Sequence, residues 1–178
     1  MAGAGLIVFG GLPGVGKTTV ARQVSRELRA AYLRIDRIEQ ALADSGELPA
    51  RPMAAGYLVG YELAGDQLGI GLSVVADCVN PLKITRDAWR AVGNRHGRWT
   101  LEVELVCSRP DEHRTRVQTR TVDIAGLTPP PWDRVVRHEY EEWDRDHLVI
   151  DTAVTSAQAS AALVVRQARA LADSASTS

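Results

Sequence analysis

Short apolar runs alternate along this chain with stretches that repeat an apolar residue every three to four positions. The runs Leu6–Phe9, Tyr32–Ile35, Leu72–Ala76, Leu101–Cys107 and His147–Ile150 are expected strands. Four of them are nearly continuous, as strands covered on both faces of a parallel sheet are. Leu101–Cys107 alternates, so Glu102 and Glu104 are expected to point outward from a less covered strand. Between the runs the spacing predicts helices over Lys17–Ala30, with Val20, Val24 and Leu28 on one face, and over Arg37–Asp44, Met53–Leu68, Thr85–Asn94 and Asp111–Arg120. Trp132–Trp143 places Trp132, Val136, Tyr140 and Trp143 near helical spacing, and Thr155–Ala172 closes the pattern with Ala157, Ala161, Val164, Ala168 and Leu171 inward. Strands that alternate with helices build right-handed βαβ units, hence an α/β sandwich around a parallel sheet.

The chain has 178 residues, a one-domain length that can bury a full core. The reading is one domain over residues 1–172 with a disordered tail over 173–178. A formal net charge of -1 gives no basic field to gather nucleic acid, so a nucleic-acid partner is disfavoured. The apolar start, Leu6–Phe9, falls far short of the ~20 residues of a membrane span and has no basic segment before it, so a cytoplasmic chain is expected. Cys78 and Cys107 are too few for a disulfide framework and are read as free thiols.

The chemistry starts at the first strand's end. Gly11-Leu12-Pro13-Gly14-Val15-Gly16-Lys17-Thr18 satisfies G-x-x-x-x-G-K-[ST], with Thr19 next, an apolar strand before it and an amphipathic helix after it. The three glycines let successive N–H groups point at an anion. Lys17 supplies a charge for the β- and γ-phosphates, and the Thr18 hydroxyl is a Mg²⁺ ligand. The helix N-terminus adds its dipole. ATP and Mg²⁺ are the cofactors this implies.

Other candidates lie at the carboxyl ends of strands, where open α/β sheets bind ligands. Asp36 follows the second expected strand and is read either as a base for a substrate hydroxyl or as the N-cap of the next helix. Asp77 ends the third and is either a Mg²⁺ ligand or a plain strand-end acid. Asn80 and Arg86 follow as candidate acceptor contacts, Asn80 alternatively as turn chemistry, and Trp89 as packing. Arg116 and Arg120, four apart, are expected on one face of a helix, one stacking on adenine and one offsetting charge on the transferred phosphoryl group. The alternative is a solvated basic face. Thr121–Pro131 is expected to cap the site as a lid. His96, His113, His138 and His147 show no metal-ligand spacing and are read as non-functional.

With these residues in view, the chain resembles the small P-loop kinases of the shikimate-, gluconate- and chloramphenicol-phosphotransferase-like group, which includes chains called AAA family ATPases. In the chloramphenicol enzymes an aspartate after the second strand, followed by a short helix, is the proposed base, and Ile35-Asp36-Arg37-Ile38-Glu39-Gln40-Ala41-Leu42 is similar there. Adenylate-kinase-like enzymes carry an Arg-x-x-x-Arg pair at the lid, matched by Arg116 and Arg120. Their adenine pocket includes the loop after the last strand, matched by Asp151-Thr152-Ala153. The resemblance implies a five-stranded parallel sheet in the order 2-3-1-4-5 with an Arg-rich lid, and it does not imply the ring of AAA⁺ machines. It implies an ATP- and Mg²⁺-dependent phosphotransferase acting on a hydroxylated metabolite or antibiotic-like acceptor, as a monomer or homodimer. Two other readings stay open: a nucleoside or polynucleotide 5′-hydroxyl kinase, and a nucleotide-dependent regulatory ATPase. No substrate pocket of the group is matched residue by residue, so the acceptor is left open.

Overall fold

The computed structural model describes residues 3–47 and 53–176. Five strands form one sheet: β1 (Gly5–Gly10), β2 (Ala31–Arg34), β3 (Val74–Asp77), β4 (Trp99–Val106) and β5 (Leu148–Asp151). All pairings are parallel and the order is β2-β3-β1-β4-β5, as expected. Seven helices accompany them among the described residues: α1 (Lys17–Leu28), α2 (Ile35–Asp44), α3 (Met53–Gly69), α4 (Lys83–Arg95), α5 (Pro110–Thr119), α6 (Trp132–Val136) and α7 (Ala157–Ser176). None is long and apolar enough to cross a membrane.

Every residue of β1 is buried, and its side chains split by parity between two cores. Ile7 and Phe9 face α1 and α7, meeting Val20, Val24, Val164 and Ala168. Leu6 and Val8 face α3 and α4, meeting Leu68, Trp89 and Val92. This is the two-sided burial that near-continuous apolar runs imply. It leaves ligands only the carboxyl edge of the sheet, where the β1–α1 and β3–α4 connections emerge.

Several expectations need correction. Ile35 opens α2 instead of closing β2, which makes Asp36 the second residue of the helix and Arg34 its N-cap. Glu102 and Glu104 do not point into solvent. Arg145 holds Glu102 through both carboxylate oxygens, at 2.9 and 3.1 Å, and His147 meets Glu104 at 3.0 Å. The segment after α6 covers that face of β4, so the charges are paired instead of solvated. The helix expected over Trp132–Trp143 stops at Val136. Beyond it, the carbonyls of Glu141 and Glu142 accept from the Arg86 guanidinium and the Glu141 N–H donates to Pro81 O, bonds that replace a helical ladder. At the other end of the chain α7 runs on to Ser176, through most of the expected tail. Thr177 and Ser178 lie outside the described residues.

Candidate active site

The loop between β1 and α1 turns on glycine. Gly11, Gly14 and Gly16 all have positive φ, 128°, 87° and 99°. Gly14 carries a second constraint, because a Cβ there would lie 2.5 Å from the Val117 side chain of α5. The loop is thus threaded under α5 with no room for a side chain. His113 of α5, buried, fixes the contact with a 2.8 Å bond between its Nε2 and Pro13 O. Trp132 packs edge-on to the same imidazole.

Lys17 donates to Gly11 O at 2.7 Å and Leu12 O at 2.9 Å, so two of its three N–H donors are taken by the loop itself. Burial pushes its ammonium below the usual lysine range, while the Asp77 and Asp36 carboxylates push it back up and Arg120 opposes them. Those four groups therefore share one electrostatic neighbourhood. They line a cleft of about 1420 Å³, with Thr18 and Thr19 on its floor.

On one wall Arg116 donates to Thr152 Oγ1 at 2.8 Å, to Thr152 O at 2.9 Å and to Glu112. The Thr152 hydroxyl in turn reaches Val15 O at 2.9 Å or Val106 O at 3.0 Å. The loop after β5 is thereby tied to the loop after β1. Arg116 and Arg120 do not share a helix face as expected. Arg120 is the residue after α5, with ψ 135°, and it leaves the helix direction. Its guanidinium enters the cleft near Asp36, its Nε buried without a hydrogen-bond partner, and burial lowers its proton affinity.

The opposite wall carries Asp36 and Asp77. The Asp36 side chain is 42% exposed and lies 3.8 Å from Arg34 Nη2. No side-chain bond caps α2, so Asp36 does not act as its N-cap. Asp77 is buried at the end of β3, accepts the Tyr32 hydroxyl at 2.7 Å through Oδ2 and, among the described residues, has no hydrogen bond at Oδ1. Burial, then Asp77, drives the Tyr32 phenol well above its ordinary range, so it stays a donor.

Two expected site residues do not reach the cleft. Arg86 is fully buried, its guanidinium donating to the carbonyls of Asn80, Pro81, Glu141 and Glu142 and stacked near Tyr140 and Trp143. It is a clamp between two chain segments. Asn80, also fully buried, takes φ 51°, a left-handed angle that asparagine tolerates. Its N–H donates to Tyr57 Oη, and its own amide atoms have no partner. The expected lid segment does line the cleft, from Thr121 to Pro131. Arg34 and Asp123 carry no expected role, and His113 and His138 are read as non-functional, yet Arg34, Asp123 and His138 line the cleft and His113 anchors its loop. Arg34 had the clearest signal, since it ends a strand next to Asp36. Among the described residues no three His, Cys, Asp or Glu side chains cluster as a metal site.

A parallel sheet in this order, with a glycine-rich loop and lysine between the central strand and its helix, defines a P-loop NTPase fold. Residues 6–125 match the AAA domain family, and the chain belongs to it. No curated protein matches the sequence. Among solved structures the chain is similar to a Chloroflexus aurantiacus protein proposed to be a kinase, at 19% identity and TM-score 0.75 over 96% of this chain and 99% of that one. It is also similar to a gluconokinase from Sinorhizobium meliloti (19% identity, TM-score 0.62, 99% and 97% covered). A third is the APS kinase of Mycobacterium tuberculosis in complex with AMPPNP and APS (20% identity, TM-score 0.62, 97% and 98% covered). These likenesses establish the fold.

Proposed function

We propose that this protein is a phosphotransferase that moves the γ-phosphoryl group of ATP to a hydroxyl of a small molecule. The observation that carries the reading is Asp36. It is a half-exposed carboxylate on the cleft wall, close enough to Lys17 and Arg120 to influence both. A nucleotide switch has no use for a carboxylate there, whereas a kinase needs one to take a proton. The kinases among the similar structures, a gluconokinase and an APS kinase included, support the same reading.

In this mechanism the loop N–H groups and Lys17 hold the β- and γ-phosphates. Arg116 and Thr152 lie at the adenine end. Asp36 accepts the acceptor's hydroxyl proton as its oxygen bonds to the γ-phosphorus, and the bond to the β–γ bridging oxygen breaks to release ADP. Lys17 and Arg120 offset the charge that gathers on the transferring group. Thr18 and Asp77 fit Mg²⁺: both are hard oxygen donors lining the cleft, and Asp77 Oδ1 makes no hydrogen bond with the described residues. The ion, when bound, neutralises phosphate charge. The lid segment closing over the acceptor excludes water.

The test is ADP release measured across hydroxylated metabolites, with D36N beside the wild type. Release that depends on one acceptor and disappears in D36N supports the phosphotransferase. Acceptor-independent hydrolysis equal in both proteins favours a regulatory ATPase.

A further inference from the structure

Asp123, three residues beyond Arg120, reaches across to the α2 wall. Three guanidinium groups from three elements meet it there. Arg34 Nη1 donates to Asp123 Oδ1 at 2.7 Å, Arg22 Nη2 donates to Oδ2, and Arg37 Nη2 donates to the Asp123 carbonyl at 3.1 Å. The burial is lopsided. The Arg34 side chain is 12% exposed, whereas the carboxylate it holds is 43% exposed. Arg34 is thus built into the wall, while Arg22, 39% exposed, and the anion between them sit at its open side. Arg22, Arg34 and Asp123 all border the cleft.

We propose that Arg22 and Arg34 form an anion subsite, filled by the Asp123 carboxylate when no acceptor is bound. The acceptor is then a short compound that carries a carboxylate, phosphate or sulfate a few bonds from its reacting hydroxyl. The inference rests on the phosphotransferase reading, because Asp36 as base gives the spacing its meaning. Asp36 Oδ2 and Arg34 Nη2 are 3.8 Å apart. One hydrogen bond of ordinary length from each, about 2.8 Å, brings the hydroxyl and the anion of one small molecule to both. An arginine fork suits planar or tetrahedral oxyanions. The internal carboxylate keeps the subsite compensated when empty. It also acts as a competitor, since an entering anion binds only the fraction of molecules from which Asp123 has withdrawn. The same withdrawal moves residues 121–131, so acceptor entry and lid position are one event.

A latch with a purely structural role makes the opposite forecast for the same substitution, which allows a decisive test. The protein is saturated with Mg²⁺ and AMPPNP to fill the P-loop, then titrated with inorganic phosphate and, in parallel, acetate. Removing the competitor in D123N is expected to tighten binding of at least one anion about tenfold, and R34Q to weaken it by at least as much. D123A, which leaves space instead of an amide, should behave as D123N does. Weaker or unchanged anion binding in both Asp123 variants overturns the proposal, as does binding that R34Q leaves intact. The arm that responds names the oxyanion. A chain that fails to bind AMPPNP sinks the phosphotransferase reading and this inference with it. Normal AMPPNP binding without the anion response sinks the subsite alone.

Discussion

The two walls of the cleft are held by different kinds of bond. On the α5 side the side chains are tied to backbone: Lys17 to Gly11 and Leu12, His113 to Pro13, Arg116 to Thr152. On the α2 side charged side chains hold one another: Arg34 with Asp36, Asp77 and Asp123, and Arg22 with Asp123. These backbone acceptors lie in the loops after β1 and β5, which the Thr152 hydroxyl bond to Val15 O ties together, so the first wall is preset. Exposed ion pairs contribute only about 0–1 kcal/mol each, and Asp123 is the exposed partner of Arg22 and Arg34, so the second wall can exchange partners there. In a kinase that contrast suits its two ligands. On the proposed reading the nucleotide takes the rigid side, and the acceptor, entering past residues 121–131, takes the adjustable one.

The contrast can be broken from either side. The largest expected effect is D36N, which removes the proposed proton acceptor at constant shape. Turnover should fall by about 10²–10⁴-fold with ATP affinity unchanged, measured by steady-state kinetics and calorimetry. An equal loss of ATP affinity would show that the walls are not independent. Next comes R86M, which leaves four backbone carbonyls, that of fully buried Asn80 among them, without their donor. A stability loss of about 3 kcal/mol or more is expected by chemical denaturation. If activity falls with stability untouched, Arg86 acts in the cleft after all. K17A should weaken ATP binding roughly a hundredfold in calorimetry, as expected when a charged hydrogen-bonding group is lost, while the fold persists by circular dichroism. R116A, on the preset wall, should raise the Michaelis constant for ATP about tenfold and leave turnover alone. A turnover effect there would blur the division.

Much of this was legible in the sequence because it depends on short-range pattern. The strand order and the P-loop follow from apolar runs, glycine spacing and family resemblance. Asp36 and Asp77 follow from the rule that ligands sit at strand carboxyl ends. What failed depends on contacts between distant segments. Arg86 reads as a candidate ligand contact because nothing local announces that residues 141 and 142 will offer it their carbonyls. The same bonds end the helix expected to continue past Val136, so one unseen contact produced two errors. Glu102 looked solvent-facing for an equivalent reason: its partner Arg145 is 43 residues away. His113 gave no signal, since its role is a single bond to a loop 100 residues earlier.

The Arg86 clamp also bears on the order in which the molecule opens and closes. Its bond to Glu141 O closes a loop of 55 residues. The entropy of such a closure grows slowly, by about 0.6 kcal/mol per doubling of length, and here it is offset by the Arg86 guanidinium together with the Arg145 and His147 bonds to β4. Residues 137–147, a loop segment beyond α6, are therefore expected to open as a unit before the sheet does. Amides of that segment should exchange with solvent well before those of β1 and β4 in native-state hydrogen exchange, and equal protection would mean that segment and sheet unfold together. Because the segment includes His138 and Glu139 on the cleft wall, its opening would uncover that side of the cleft while the P-loop side stays in place.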